Sequence, residues 1–493
     1  MNSRTIAKIL ASTAALTLIL DANADVRLPA LFSDNMVLQQ KQRAPVWGWA
    51  DDGEEVKVTF RGKTVKAKAK DGKWMVNLSG LSAGGPDVLV VEGKNRIEVK
   101  NVLVGEVWVC SGQSNMEWPL KASFESTNDV ASSANPKLRL FLVTKAKANT
   151  PQQDVKAQWK ECNPETVPGF SAVAYYFGRD LQRARNVPVG LIGTYWGGSP
   201  AEVWMSQQTL ESNPEYKHDI LDAYTEAMHK AEASGNKKQQ PGWKPTELYN
   251  GMIAPLVPFG IKGAIWYQGE SNAGRAQQYR SLFADMIRNW RRDWGQGNFT
   301  FLAVQLAPWD YGKKRSLEAI TEKPGDSAWS ELREAQLLAT KTLPNVGMAV
   351  ITDVGDKDDI HPTKKEPVGA RLALAARGIA YGEKIDYAGP IYKKMQAKDG
   401  QVILSFEHTN GGLESRGGEL TGFAICGPER NWVWAKAEIR GDNVVVSSPQ
   451  VSQPEAVRYG WSDFPVVNLW NKAGLPATPF RTDDFPMVTA KKK

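Results

Sequence analysis

The chain has 493 residues, of which 42% are hydrophobic and 23% are charged, so it is long enough for two or three globular domains. These proportions exclude a disordered, collagen-like or membrane-embedded protein. The formal charge of +7 at pH 7 is small for this length, and the Lys and Arg residues are scattered along the chain. The composition therefore gives no support for nucleic-acid binding.

The first 24 residues have the pattern of a secretory signal peptide. Arg4 and Lys8 precede a short apolar stretch over 9–20, and Ala22-Asn23-Ala24 follows it as a cleavage site. We predict cleavage after Ala24 and a periplasmic or extracellular protein, with an uncleaved anchor as the alternative. No later stretch of about 20 apolar residues occurs, so we expect no stable membrane insertion.

The three cysteines, Cys110, Cys162 and Cys426, do not form the framework of a disulfide-built protein. An odd number leaves at least one thiol free or in an intermolecular bridge. One disulfide is compatible with the sequence, but the spacing does not select the pair.

The mature chain begins with a region, 25–104, that reads as short strands. Asp-Gly, Gly-Lys and Gly-Gly turns separate these runs, and Asp71-Gly72 is a typical hairpin signal. We predict a small all-β domain, a sandwich, with strands over 44–49, 56–61, 74–78 and 88–92.

From Gly105 the pattern changes to alternating strands and helices, which predicts a parallel sheet covered on both faces over 105–384. The predicted strands are 107–110, 138–143, 189–194, 263–267, 300–306 and 346–352. The predicted helices are 171–185, 218–233, 277–294, 330–342 and 363–381. Strands return over 385–493, so we predict a second β region there, at 401–406, 422–425, 433–440 and 443–448.

Ser114 is the first candidate for chemistry, because it follows the first predicted strand of the parallel sheet. Functional residues collect at the carboxyl ends of such strands. Gly112 permits a tight turn before it, and a helix beginning here would direct N–H groups at an oxyanion. The alternative is a serine that only caps a helix.

His361 is the second candidate, because it follows the last predicted strand and Asp358 lies three residues before it. That spacing lets the carboxylate orient the imidazole through Nδ1 and leave Nε2 free. The alternative is a solvated histidine in an acidic loop. His218 and His229 lie in a polar segment that we expect at the surface, and His408 lies among turn residues.

Four motifs occur in order along the chain: 112–116 (GQSNM), 196–200 (WGGSP), 266–272 (WYQGESN) and Asp358-x-x-His361. Together they resemble the characteristic motifs of the SGNH hydrolases. Ser114 lacks the Gly-x-Ser-x-Gly elbow of α/β-hydrolases. The resemblance is strongest to the sialate O-acetylesterase group and related carbohydrate acetyl esterases, and it covers nearly the whole mature chain.

The resemblance implies an SGNH-type, flavodoxin-like three-layer α/β/α hydrolase domain with flanking β domains. It also implies Ser114 as nucleophile, His361 as base and Asp358 as its orienting acid. Because some relatives use the Glu of the third motif, Glu270 is the alternative acid.

The oxyanion hole implied by the resemblance combines backbone and side-chain N–H groups. Ser114 and Gly198, or Gly197 in its place, would supply backbone donors. Gln268 or Asn272 would supply an amide side chain. No cofactor or metal is expected, since the sequence has neither a His-Glu-x-x-His motif nor paired Cys-x-x-Cys motifs.

The predicted substrate is an acetylated carbohydrate, with sialic acid esters first and acetylated xylan or other plant glycans as the alternative. Two other classes remain open: a glycosidase using Glu270 and Asp310, and a non-catalytic carbohydrate-binding protein. Five tryptophans border the motifs, and we expect most tryptophans of the chain to be core residues. The five are Trp108, Trp118, Trp196, Trp204 and Trp266.

Overall fold

The computed structural model describes residues 25–491, so the predicted signal peptide lies outside the described residues. The first part of the chain forms seven strands, β1 (Val37–Gln39), β2 (Ala44–Trp49), β3 (Glu55–Phe60), β4 (Lys63–Lys68), β5 (Lys73–Leu78), β6 (Gly84–Glu92) and β7 (Arg96–Gly112). Of these, β3 and β5 alternate buried and exposed side chains, as expected for half-buried antiparallel strands, whereas the second half of β7 is buried throughout.

The second part alternates strands with helices, as the sequence predicts. Its strands are β8 (Asn135–Leu142), β9 (Trp159–Cys162), β10 (Val189–Tyr195), β11 (Gly263–Tyr267), β12 (Thr300–Val304) and β13 (Val346–Ala349). Its α-helices are α1 (Ser114–Glu117), α2 (Thr127–Ala131), α3 (Ala172–Arg185), α4 (Gln207–Ser212), α5 (Pro214–Tyr216), α6 (Ala223–Ala233), α7 (Ala276–Trp294), α8 (Leu317–Thr321), α9 (Ala328–Thr342) and α10 (Glu366–Ile379).

The main sheet has the order β13-β12-β11-β7-β10-β8-β9, and every neighbouring pair is parallel except β8 and β9. Residues of α3 and α10 belong to the core on one face, and residues of α7 and α9 belong to the core on the other. The strands of the sheet centre, such as β10 and β11, are buried along their whole length. The structure is therefore a mixed α/β protein with a central mixed sheet.

Strand β7 runs through the predicted boundary at 104/105 without a break. Its first half pairs with β1 and β6, and its second half lies between β10 and β11 in the main sheet. The hydrophobic core of the N-terminal β region is also continuous with the core under α7 and α9. The N-terminal strands and the main sheet are thus joined by both hydrogen bonds and packing.

The C-terminal region folds around a hydrophobic core of its own. Two four-stranded sheets, β14-β15-β20-β19 and β18-β17-β21-β23, account for most of it, and β16 pairs with β22. The strands are β14 (Ile391–Lys398), β15 (Gln401–Glu407), β16 (Leu413–Ser415), β17 (Phe423–Cys426), β18 (Val433–Trp434), β19 (Lys436–Arg440), β20 (Asn443–Ser447), β21 (Ala456–Tyr459), β22 (Leu469–Asn471) and β23 (Phe480–Arg481).

Arg333 of α9 connects this C-terminal region to the main sheet. Its guanidinium is fully buried and donates to the carbonyl oxygens of Ser462 and Asp463 at 2.7 and 2.8 Å. It also donates to the carbonyl oxygens of Leu306 and Ala307, just after β12, at 2.9 and 3.3 Å. Burial lowers the pKa of Arg333 to about 9, so keeping this cation inside depends on those four acceptors.

We expect Arg333→Met to lower the free energy of unfolding by about 3 kcal/mol or more, because it leaves buried carbonyl oxygens without donors. Urea unfolding measures the change. Lys341→Met, an exposed position on the same helix, is the matched control and should stay within about 0.5 kcal/mol of wild type. Equal stabilities for the two variants would contradict the role assigned to Arg333.

Candidate active site

Three adjacent strands end side by side and present the first three motifs. In the register of the sheet, Gly112 at the end of β7 lies opposite Tyr195 of β10 and Tyr267 of β11. Ser114 therefore begins α1 directly beyond β7, between the two loops that follow β10 and β11. The loop after β13 brings His361 to the same edge of the sheet.

Gly112 is required where β7 passes β11. Its φ of +140° lies in a region that side chains disfavour, and a Cβ atom would lie 2.1 Å from the Tyr267 carbonyl oxygen. The next residue, Gln113, donates its N–H to that same oxygen at 3.0 Å. The glycine thus lets the chain turn from the strand into α1 while it remains hydrogen-bonded to β11.

The structure brings Ser114 and His361 together, as the sequence predicts. The Ser114 Oγ and His361 Nε2 atoms are 2.8 Å apart, a hydrogen-bond distance. The Trp118 ring stacks on the imidazole, with 5.6 Å between centroids and 19° between planes. Burial, together with the charge of Lys365, lowers the pKa of His361, and Asp359 partly opposes this. The neutral imidazole that can accept the serine proton is therefore favoured.

The aspartate facing the imidazole is Asp359 and not Asp358. The Asp359 Oδ1 atom lies 3.7 Å from His361 Nδ1 and accepts the His361 backbone N–H at 2.8 Å. Asp358 is turned away, and its carboxylate pairs with Lys357 at 2.5 Å. The separation at Nδ1 is longer than a hydrogen bond, so Asp359 acts on the imidazole by charge.

The turn that carries the predicted backbone donors Gly197 and Gly198 passes Ser114, since a Cβ atom on Gly197 would lie 3.3 Å from the Ser114 Cβ. The N–H of Ser114 is the first N–H of α1, a position that has no acceptor within a helix, whereas the N–H groups of Met116 and Glu117 donate to the Gln113 carbonyl oxygen, each at 2.9 Å. The N–H of Gly197 is occupied, since it donates to Glu117 Oε2 at 2.7 Å. Gly198 follows it in the turn with a φ of +74°, and the space that a Cβ atom would take there is open. The geometry favours Gly198 over Gly197 as the second donor.

Gln268 and Asn272 lie in a buried amide network behind the site. The Gln268 side-chain nitrogen donates to the Ser199 carbonyl at 3.3 Å and to Asn272 Oδ1 at 2.7 Å, which uses both of its N–H groups. Asn272 donates to Glu202 at 2.9 Å and has one N–H left. The network holds the loops after β10 and β11 together, and only Asn272 retains a donor for the role predicted from the sequence.

The Glu270 carboxylate points inward, where it accepts from Asn115 at 2.6 Å, and its pKa is raised by burial. Asn115 also accepts from Lys365, at 2.5 Å. Asn115, Lys365 and Glu117 are site residues that were not predicted from the sequence. Asn115 could have been found from its place directly after Ser114, whereas nothing in the sequence distinguishes Lys365 from its neighbour Lys364.

The tryptophans beside the motifs divide into two groups. Trp108, Trp204 and Trp266 are fully buried core residues, as expected for most of them, whereas Trp118 and Trp196 are half-buried at the site. The Lys145 amino group lies 5.3 Å from the ring centre of Trp196 and pairs with Glu117 at 2.5 Å. The site therefore opens onto aromatic and charged side chains that suit a polar ring.

No disulfide joins the three cysteines: Cys110, Cys162 and Cys426 are all free and buried. Within residues 25–491, no three His, Cys, Asp or Glu side chains are grouped in a way that could hold a metal ion. None of the helices in that same range is long and apolar enough to cross a membrane.

Comparison with known proteins places this site in a family. Residues 104–377 match the model of the carbohydrate esterase, sialic acid-specific acetylesterase family. The chain is 29% identical to human sialate O-acetylesterase and 28% identical to the mouse protein, covering 93% of each of those two proteins. It is 41% identical to a carbohydrate acetylesterase from Xanthomonas citri, whose crystal structure superposes with a TM-score of 0.83 over 94% of this chain and 100% of that chain.

The chain belongs to the sialic acid-specific acetylesterase family of carbohydrate esterases. It is a carboxylic ester hydrolase.

The position of Asp359 generates a prediction. If His361 is the base, we expect Asp359→Asn to lower kcat/KM roughly tenfold, because the carboxylate would stabilise an imidazolium by charge from an exposed position rather than through a hydrogen bond. Asp358→Asn is the matched control and should remain near wild type. Steady-state kinetics with an acetyl ester measures both variants. A larger loss in Asp358→Asn than in Asp359→Asn would contradict the assignment.

Proposed function

We propose that this protein is an exported serine esterase that removes O-acetyl groups from acetylated sugars through an acetyl-enzyme. The observation that carries the proposal is the 2.8 Å contact between Ser114 Oγ and His361 Nε2 at the carboxyl edge of the sheet. The order of the strands and the helices on both faces support an SGNH-type, flavodoxin-like hydrolase fold with flanking β domains.

The proposed reaction begins when His361 accepts the Ser114 proton and the serine oxygen attacks the acetyl carbonyl. The N–H groups of Ser114 and Gly198 stabilise the resulting oxyanion, each by about 3 kcal/mol. The sugar alcohol leaves with the proton held by His361. Water, deprotonated by the same imidazole, then attacks the acetyl-enzyme and releases acetate.

The orienting acid in this proposal is Asp359, which replaces Asp358 as our candidate. Glu270 remains outside the dyad, since its carboxylate is bonded to Asn115 rather than to the imidazole. The charge of Asp359 favours the imidazolium that forms during attack, and its bond to the His361 N–H fixes the loop. The proposed Ser-His-Asp set is thus Ser114, His361 and Asp359.

The names of the relatives support an acetylated sugar as substrate. The human and mouse relatives are sialate O-acetylesterases, and the Xanthomonas citri relative is a carbohydrate acetylesterase. We propose O-acetylated sialic acid as the first substrate and acetylated xylan or another plant glycan as the alternative. Export is proposed from the pattern of residues 1–24, with cleavage after Ala24.

The glycosidase alternative receives no support from the described contacts. Its second carboxylate, Asp310, is buried and held by the Arg315 side chain at 3.0 Å and by the Arg315 backbone N–H at 3.0 Å. Burial alone would raise the pKa of Asp310, but these bonds from Arg315 lower it overall. Because the Asp310 side chain is 0% exposed, it has no access to a sugar as acid or nucleophile.

We expect the mature protein to release acetate from O-acetylated sialic acid or acetylated xylan. Ser114→Ala and His361→Ala should lower kcat/KM by at least about a thousandfold, since each removes a member of the reacting pair. His408→Ala, a half-buried histidine of the C-terminal region, is the matched control.

Acetate release by Ser114→Ala at the wild-type rate would contradict the proposed nucleophile. Sugar binding without acetate release from any acetylated substrate would favour the binding-protein alternative.

A further inference from the structure

A chain of buried polar groups lies directly beneath Ser114 and His361. Lys365 Nζ donates to Asn115 Oδ1 at 2.5 Å, and Asn115 Nδ2 donates both to Glu270 Oε1 at 2.6 Å and to the Ile360 carbonyl oxygen at 3.0 Å. Asn115 is 0% exposed and Lys365 is 1% exposed. The bonds join three segments that are far apart in the sequence.

The orientation of the Asn115 amide follows from the chemistry of its partners. The Ile360 carbonyl oxygen only accepts, so Nδ2 must face it, and Oδ1 then faces the Lys365 amino group, which donates. Nδ2 then has its second N–H available for Glu270. The amide thus makes three hydrogen bonds, to Lys365, Glu270 and Ile360. Rotating the amide by 180° would break all three.

Two of the hydrogen-bonded residues are adjacent in sequence to the residues of the proposed dyad. Asn115 directly follows Ser114 in α1, and Ile360 directly precedes His361. The Asn115–Ile360 bond therefore spans the same two segments as the Ser114–His361 contact, which are separated by 247 residues. A single amide fixes the backbone on both sides of the reacting pair.

We propose that Asn115 and Lys365 are positioning residues: Lys365 fixes the Asn115 amide, and Asn115 holds the nucleophile segment against the histidine loop. This inference rests on the proposed dyad. Neither residue is assigned a contact with substrate, so both act on the rate through the geometry and charge that Ser114 and His361 experience.

Lys365 also has an electrostatic effect on His361, which a purely structural role of the side chain would not produce. Its ammonium lies 5.3 Å from the ring centre of Tyr267 and 5.9 Å from that of Trp118. Burial lowers the pKa of Lys365 to about 7, while Glu270 and Asp359 raise it. The positive charge of Lys365 in turn lowers the pKa of His361.

Few charged or titratable groups of the described residues face Lys365, so the direction in which its removal shifts the pKa of His361 can be derived. They are Glu270, Asp359, His361 and the unpartnered phenol of Tyr267. Removing the ammonium takes away one of the two effects that lower the pKa of His361 and leaves the charge of Asp359, which raises it, so the pKa of His361 rises. Since the base must be neutral, the acidic limb of kcat/KM then moves to higher pH.

The test uses the full mature protein and p-nitrophenyl acetate. We expect Asn115→Asp to lower kcat about 100-fold with KM within about twofold, because it keeps the shape of the side chain but replaces both donors with an acceptor. We expect Lys365→Met to lower kcat and to shift the acidic limb of kcat/KM to higher pH. Lys364→Met, an exposed neighbour that stacks on Phe124, is the control and should change neither.

Circular dichroism and thermal unfolding establish that each variant is folded before its kinetics are compared. If Lys365→Met does not fold, Asn115→Asp alone decides. The proposal is overturned if folded Asn115→Asp retains wild-type kcat, or if folded Lys365→Met has the acidic limb of wild type. Failure of the proposed function itself is recognised separately, because wild type would then match Ser114→Ala.

Discussion

The hydrogen bonding of β7 to β10 on one side and β11 on the other is the constraint on which the rest of the structure depends. It sets the three motif-bearing loops next to one another at one edge of the sheet, so residues from distant parts of the chain meet without a long connecting structure. The same strand extends backwards into the N-terminal β region, which shares its core with the sheet. A change that displaced β7 would therefore disturb the position of Ser114 and the packing of the N-terminal strands together.

The site is built on buried polar groups, most of which are paired; Ser111 Oγ and Trp266 Nε1 are among those without a partner. Gln268, Asn272 and Glu202 join the loops after β10 and β11, and Asn115 joins α1 to the histidine loop. A buried polar network is favourable only when its members have hydrogen-bond partners. A network whose members all have partners favours a single arrangement of its side chains. The unpartnered atoms Glu270 Oε2 and Tyr267 Oη lie at the edge of this network, near the charge of Lys365. The rigidity that places Ser114 beside His361 thus comes from side chains that do not react.

Most of the architecture could be predicted from periodicity, because strands such as Gly263–Tyr267 and helices such as Ala276–Trp294 have clear local patterns and clear ends. Ser114 and His361 were candidates because each comes after a predicted strand and lies in a motif that resembles those of the SGNH hydrolases. The continuous strand across the predicted boundary at 104/105 could not be predicted. The 17-residue strand β7 belongs to both regions, and the local sequence pattern does not show that one strand connects them. Whether Asp358 or Asp359 faces the imidazole depends on the path of one loop, in which the Asp358 carboxylate pairs with Lys357 instead of His361. Lys365 was missed because its burial depends on packing against Trp118 and Tyr267, which sequence spacing does not reveal.

The central claim is that Ser114 carries the acetyl group between two steps of one reaction. An activated ester such as p-nitrophenyl acetate makes acylation fast, so the acetyl-enzyme should accumulate and p-nitrophenol should appear in an initial burst equal to the enzyme concentration. Acid quenching followed by peptide mass spectrometry should then find one acetyl group on Ser114 and none on the same peptide of Ser114→Ala. Continued turnover with no acetyl group on Ser114 at any quench time, or with the group on another residue, would contradict the account.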